Sequence, residues 1–266
     1  MRFPALTLLL PTIAAAQEPP DLAAERADLA RWLATAPVSP FAAVYHQPLA
    51  DAVVFGPGGE PGLEALPAAT LEQGLLRLSL RTAGGTRTVP RNRDTPLGDA
   101  WRVRVSGERG RAVVTVFGPV RDAKVPGWYP WDGAVTAEGT LQPPARVESR
   151  RMLGLDGVEV EASHAGTWLG RVAGEDVRLT VYRMPEPGTE ESELMIFFRD
   201  ATNGQGTYPA GRFLALRPLG GGRYQADFNR TRNPFCAYNG VFPCPAQWPG
   251  NAIAAAIEAG ERYHQP

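Results

Sequence analysis

The stretch from Phe198 to Glu261 holds the densest set of side chains able to do chemistry. Phe198-Arg199-Asp200-Ala201-Thr202 leads into Thr207-Tyr208-Pro209-Ala210-Gly211-Arg212, and Asp227-Phe228-Asn229 follows. Arginine presents a planar fork that matches a carboxylate or phosphate with two parallel bonds, so Arg199 and Arg212 could grip an anion. Thr202, Tyr208 and Asn229 supply neutral donors and acceptors. Asp200 and Asp227 are the two carboxylates that acid/base chemistry would use, one giving a proton and the other taking it. The same residue types beside tight turns also satisfy backbone groups and lock loops. Three readings follow: a site for a small polar or anionic ligand, a hydrolase-type site using Asp200 and Asp227 as acid and base, or a structural network with no small-molecule site.

Cys236 and Cys244 fall in the same stretch. In an oxidising compartment a close pair is most simply a disulfide. Free thiols and half of a metal site are the alternatives, but the spacing to His264 fits no zinc pattern, and no metal site or cofactor is expected. His46, His164 and His264 are scattered. The chain has no Gly-x-Ser-x-Gly elbow, phosphate loop, His-Glu-x-x-His or Cys-x-x-Cys. Gly56-Pro57-Gly58-Gly59 reads as a turn, because Pro57 and Pro61 would spoil a helix start behind it.

Residues 1–16 read as a cleavable signal. A basic end at Arg2 precedes an apolar run from Phe3 to Ile13, and Ala14-Ala15-Ala16 precede Gln17. The run is too short to remain as a membrane span. The expectation is an exported protein, periplasmic or secreted, cut before Gln17 and without a span afterwards. Its 27 basic and 28 acidic residues nearly cancel, which argues against a nucleic-acid partner, since that would need a basic face. Lys124 is the single lysine, so a catalytic lysine elsewhere is excluded.

The elements that must carry these residues are mostly strands. Residues 21–36 have helical spacing, with Leu22, Leu29, Trp32 and Leu33 on one face, and Pro37 stops the run. From residue 40 the period becomes two. Expected strands cover 75–81, 86–89, 101–105 and 112–117, then 147–152, 158–160, 167–172, 177–182, 193–198, 211–216 and 222–228. Gly-rich turns separate them, as in antiparallel sheets with one wet face. Gly127-Trp128-Tyr129-Pro130-Trp131 lies in a composition break at 118–145.

The motifs at 198–214 and 227–229, with Asn233-Pro234-Phe235-Cys236-Ala237, Cys244-Pro245, Ala259-Gly260-Glu261 and Gly127-Trp128-Tyr129-Pro130, resemble the signature of the domain of unknown function 1684 family. The resemblance implies an extended final segment and supplies no activity. Some N-terminal halves in that family resemble forkhead-associated β-sandwiches, and residues 50–118 would be the counterpart here. The expected architecture is therefore all-β, an antiparallel sandwich or barrel-like fold with an N-terminal helix. It divides into a signal at 1–16, a helix and linker at 17–39, one β module at 40–118 and a second at 119–266 that carries the motifs.

Overall fold

The computed structural model describes residues 17–75, 77–189 and 191–263. The expected signal at 1–16 and His264 lie outside them. Helix α1 (Pro20–Thr35) opens the described chain. Pro20 fits its first turn, where no N–H partner is needed, and Asp21 complements the helix dipole there.

The first β module has eight strands: β1 (Ala43–Pro48), β2 (Ala52–Phe55), β3 (Ala69–Gln73), β4 (Leu78–Thr82), β5 (Gly85–Val89), β6 (Asp94–Leu97), β7 (Trp101–Ser106) and β8 (Val113–Phe117). They form two antiparallel sheets, ordered β1-β8-β7-β6 and β2-β3-β4-β5. Alternation explains the core. Val53, Phe55, Leu71 and Leu80 from one sheet share a cluster with Val103, Val105, Val114 and Val116 from the other. All of β8 is buried, because its outer face meets the second module.

The second module contains β9 (Thr136–Gln142), β10 (Ser149–Leu153), β11 (Glu159–Val172), β12 (Glu175–Pro185), β13 (Ser192–Phe198), β14 (Arg212–Ala215), β15 (Arg217–Gly220) and β16 (Arg223–Asp227). They make one sheet ordered β14-β13-β12-β11-β9-β16-β15, with β10 paired to β11. The sheet rolls up, so that β14 approaches β16. Trp168, Phe198 and Phe228 fill the roll together with Ile253, Ile257 and Ala259 of the final segment. That segment is not helical. It is held by Arg199 N–H to the Asn251 carbonyl (3.0 Å) and by Ile253 N–H to the Arg199 carbonyl (2.9 Å). The roll is a packed core rather than a ligand chamber.

Two expected strands, 158–160 and 167–172, are parts of one long β11. Its register shifts between His164 and Gly166. Gly166 has φ +137, and a side chain there would strike the Gln142 carbonyl, so glycine allows the bulge. The period-two reading missed β1, β2, β3, β6, β9 and β15. β6 carries Pro96 on a sheet edge, where a missing donor is tolerated. β9 has Gly139 at its centre because the Trp168 ring lies where a side chain would be. Leu75, expected in a strand, is exposed and precedes β4.

The modules meet around His46. Its Nδ1 lies 2.9 Å from Thr115 Oγ1, its Nε2 lies 3.4 Å from the Gly157 carbonyl, and its ring packs on Phe242. Asn239 Nδ2 donates to the Pro40 and Ala43 carbonyls at 2.9 and 2.7 Å. Helix α1 lies against the second module. Arg230 on that module bonds Asp21 (2.5 Å) and Glu25, and Arg217 bonds Glu25 (2.6 Å). Trp32 packs on Phe235 with ring centres 6.0 Å apart.

Candidate functional site

The seven candidate residues fall into four separate settings. Arg212 and Asp200 form a fully buried ion pair at 2.8 Å. The Arg212 guanidinium also donates to the carbonyls of Ile257 (2.9 Å) and Ala259 and to Thr231 Oγ1 (3.3 Å). Asp200 Oδ1 accepts from Thr202 N–H (2.8 Å), Thr202 Oγ1–H (2.5 Å) and Ile257 N–H (3.2 Å). Thr202 Oγ1 further meets Thr207 Oγ1 at 2.8 Å. Burial pulls the Arg212 guanidinium down, and Asp200 opposes that shift. Every oxygen of Asp200 is occupied by protein. The knot ties β13 and β14 to the final segment and leaves no face for a ligand or a substrate proton.

Asp227 and Asn229 form a second network. Asp227 Oδ1 accepts from Thr136 Oγ1–H (3.0 Å), Asn229 N–H (3.1 Å) and Asn229 Nδ2–H (2.9 Å), while Oδ2 accepts from Arg230 Nε–H (2.9 Å). Asp227 thereby caps the short 3-10 turn Phe228–Arg230. It also holds Arg230 toward α1. Asn229 Nδ2 donates to the Asp132 carbonyl (2.8 Å), and its own carbonyl accepts from Arg26 (3.0 Å). Asp200 and Asp227 thus belong to different networks, each saturated by protein partners.

Tyr208 sits apart from both. Its hydroxyl lies 3.3 Å from Cys236 Sγ and 3.1 Å from Cys244 Sγ. The disulfide expected between the cysteines is not formed in this structure: both are free thiols, Cys244 exposed and Cys236 half-buried. Burial and the neighbouring Cys244 push the Cys236 thiol up to about 12. It is therefore a protonated sulfur rather than a reactive thiolate. Arg199 is exposed, and its guanidinium reaches Gln247 at 3.5 Å. Among the described residues no cluster of three or more His, Cys, Asp or Glu is placed to hold a metal ion.

Glu261 closes the motif region in full burial. Its Oε2 accepts from Asn233 N–H (2.7 Å) and Tyr238 O–H (2.6 Å). Oε1 is buried without a partner. Burial pushes this carboxyl up to about 7, against the pull of those donors and of Arg232 and Arg212. Gly260 before it has φ +72, and a side chain would collide with Thr231 and the Phe228 carbonyl. That explains a glycine between Ala259 and Glu261.

Open space lies elsewhere, and one such cleft is beneath α1. A cleft of about 760 Å³ separates the helix from the edge of the rolled sheet. Five arginines line it, Arg26, Arg183, Arg217, Arg230 and Arg232, against three acids, Glu25, Asp28 and Glu193. Of the candidate residues Asn229 lines it. Arg183 is exposed and forms no side-chain bond among the described residues. Burial and the like charge of Glu186 push the Glu193 carboxyl up, and Arg232 opposes that shift. The sequence reading missed these residues because arginines on strands read as wet face. A signal was present: Asp21, Glu25 and Asp28 recur at spacings of four and three along α1. That is an acidic stripe on one helix face, and such a stripe implies a basic surface opposite.

A mainly β, two-module protein with a helix strapped over an arginine-lined cleft is what the fold defines. The chain belongs to the DUF1684 family, proteins of unknown function, whose profile matches residues 125–262. The matched region contains the Asp200–Arg212 knot, the Asp227 network, the Tyr208 cluster and Glu261. A solution NMR structure of an uncharacterized protein of Haloarcula marismortui is 32% identical over 53% of this chain and 77% of that chain, with a TM-score of 0.45. A search of curated proteins finds no match.

Proposed function

We propose that this protein is exported and binds a small carboxylate-bearing molecule in the cleft between α1 and the second β module. The observation that carries the reading is Arg183, exposed on the wall of the 760 Å³ cleft with no side-chain partner among the described residues, beside four further arginines. Its volume lies in the range of small-molecule sites, and guanidinium forks suit carboxylates. Arg183 and Arg217 are the gripping residues. Arg183 pairs with no acid among the described residues, and the Arg217 bonds to α1 are exposed and weak. Succinate is the probe. Isothermal titration is expected to show binding by the wild type and at least a tenfold loss in an Arg183→Ala/Arg217→Ala variant. Equal affinity in both proteins, or none in the wild type, refutes the assignment.

The export reading rests on the pattern of residues 1–16. Amino-terminal sequencing of protein released from the envelope of a bacterial host should begin at Gln17; a chain retained in the cytoplasm with Met1 intact would refute it. In an oxidising compartment Cys236 and Cys244, both against the Tyr208 hydroxyl, would join as a disulfide. Thiol titration of the exported protein should then find no free thiol until a reductant is added. Two free thiols in that protein would refute the pairing.

A further inference from the structure

The arginine cleft adjoins a second cavity of different character. This one measures about 360 Å³, and Leu29 and Arg232 are wall residues of both. Trp32, Leu33, Val38, Leu155 and Phe235 line the second cavity. Leu33 and Leu155 are buried, and Trp32 and Phe235 pack on each other. Arg104, Glu186 and Arg232 also line this cavity, and each is held in an ion pair. Arg232 grips Glu186 with two bonds, at 3.0 and 3.1 Å, and sits 3.9 Å from Glu193, which faces the first cleft. The two spaces under α1 are thus graded: arginine-rich beside Arg183 and Arg217, apolar beyond Leu29.

From this grading we infer that the ligand is amphipathic, a carboxylate carrying an apolar chain. The carboxylate sits among the arginines of the first cleft, and the chain passes Leu29 into the apolar cavity. This deepens the proposed carboxylate site and rests on it. The occupant's two ends meet complementary walls. A chain held against Trp32, Leu33 and Phe235 leaves water, and each buried methylene favours binding by about 0.8 kcal/mol, roughly fourfold in affinity. A small diacid gains nothing there. Helix α1 forms a wall of both spaces, so the ligand also ties α1 to the second module.

The test is a chain-length series of acetate, butyrate, hexanoate and octanoate, titrated into the intact chain beside succinate. Affinity should rise about fourfold per added methylene until the cavity is full. Octanoate should shift Trp32 emission, a shift absent from Trp32→Phe. Leu29→Trp, which narrows the passage, should remove the gain with length. If that variant does not fold, Leu29→Gln should reduce the gain instead. Arginine-dependent binding of succinate and acetate with no gain along the series would overturn the amphipathic assignment while leaving the carboxylate site standing. Octanoate binding that ignores Arg183→Ala/Arg217→Ala would overturn both. A length gain that survives Leu29→Trp with unchanged Trp32 emission would place the chain elsewhere and overturn the inference.

Discussion

Arginines and carboxylates occur in two regions of the second module with opposite consequences. At the Asp200–Arg212 knot, Asp200 is saturated and the guanidinium meets a carboxylate, a hydroxyl and two carbonyls, with no exposure of either side chain. Under α1 five arginines line the cleft, their ion pairs are partly exposed, and Arg183 has no side-chain partner among the described residues. Residue type does not separate these regions; remaining capacity does. With Asp200 fully bonded and the Arg212 Nε buried without a partner, the knot is a tie between chain segments, whereas a guanidinium facing an open cleft can still take an anion. In this chain the dense motif bonds chain segments to one another, and the sparser surface under α1 is the one proposed for binding.

The largest effect should come from breaking the knot. Arg212→Met strands the Asp200 carboxylate in the interior and should cost about 3–5 kcal/mol in urea unfolding. Pairing it with Asp200→Leu should recover much of that loss. A single variant that melts like the wild type but loses succinate would reverse the comparison.

Next comes pH. The folded value of Glu261, about 7, stands above its ordinary 4.5. Its contribution to stability is therefore present in full below about 4.5 and is lost as pH rises through about 7. The swing is on the order of 3 kcal/mol, and Glu261→Gln should flatten it in unfolding curves taken from pH 4 to 9. His46 acts on the other side. Burial between the modules lowers it from 6.5 to about 4. Its contribution is present above 6.5 and is lost as pH falls through about 4. His46→Gln should keep stability flatter in acid, seen by the same unfolding curves. Without both slopes, these sites would not be the dry ties described here.

The smallest stability effect should be at the cleft. Arg183→Ala/Arg217→Ala exchanges exposed guanidiniums and should move unfolding by no more than about 1 kcal/mol. A loss comparable to that of Arg212→Met would make the cleft another fold tie.

Much of the architecture was legible in the chain. Helix α1 stood out from its apolar face, the strand around Trp101–Val105 from alternation and that at Glu193–Phe198 from its continuous apolar run. The motif region was legible as a cluster of polar residues. Sequence could not assign them to separate networks. Asp200 meets Arg212 only because β13 and β14 pair, with Phe198 opposite Arg212, and the final segment folds back over both. The cleft was hidden for a related reason. Arg183 and Arg217 lie on strands far apart in the chain, and α1 comes from its other end, so nothing local marks the three as one surface. The acidic stripe of α1 was the readable half of that contact.

The decisive experiment is thermal melting of the wild type and Arg183→Ala/Arg217→Ala over a range of succinate concentrations at constant ionic strength. Midpoints should be similar without succinate, rise with concentration in the wild type, and stay level in the variant. Parallel rises in both proteins, or a wild type that does not respond, would contradict the assignment of binding to the cleft under α1.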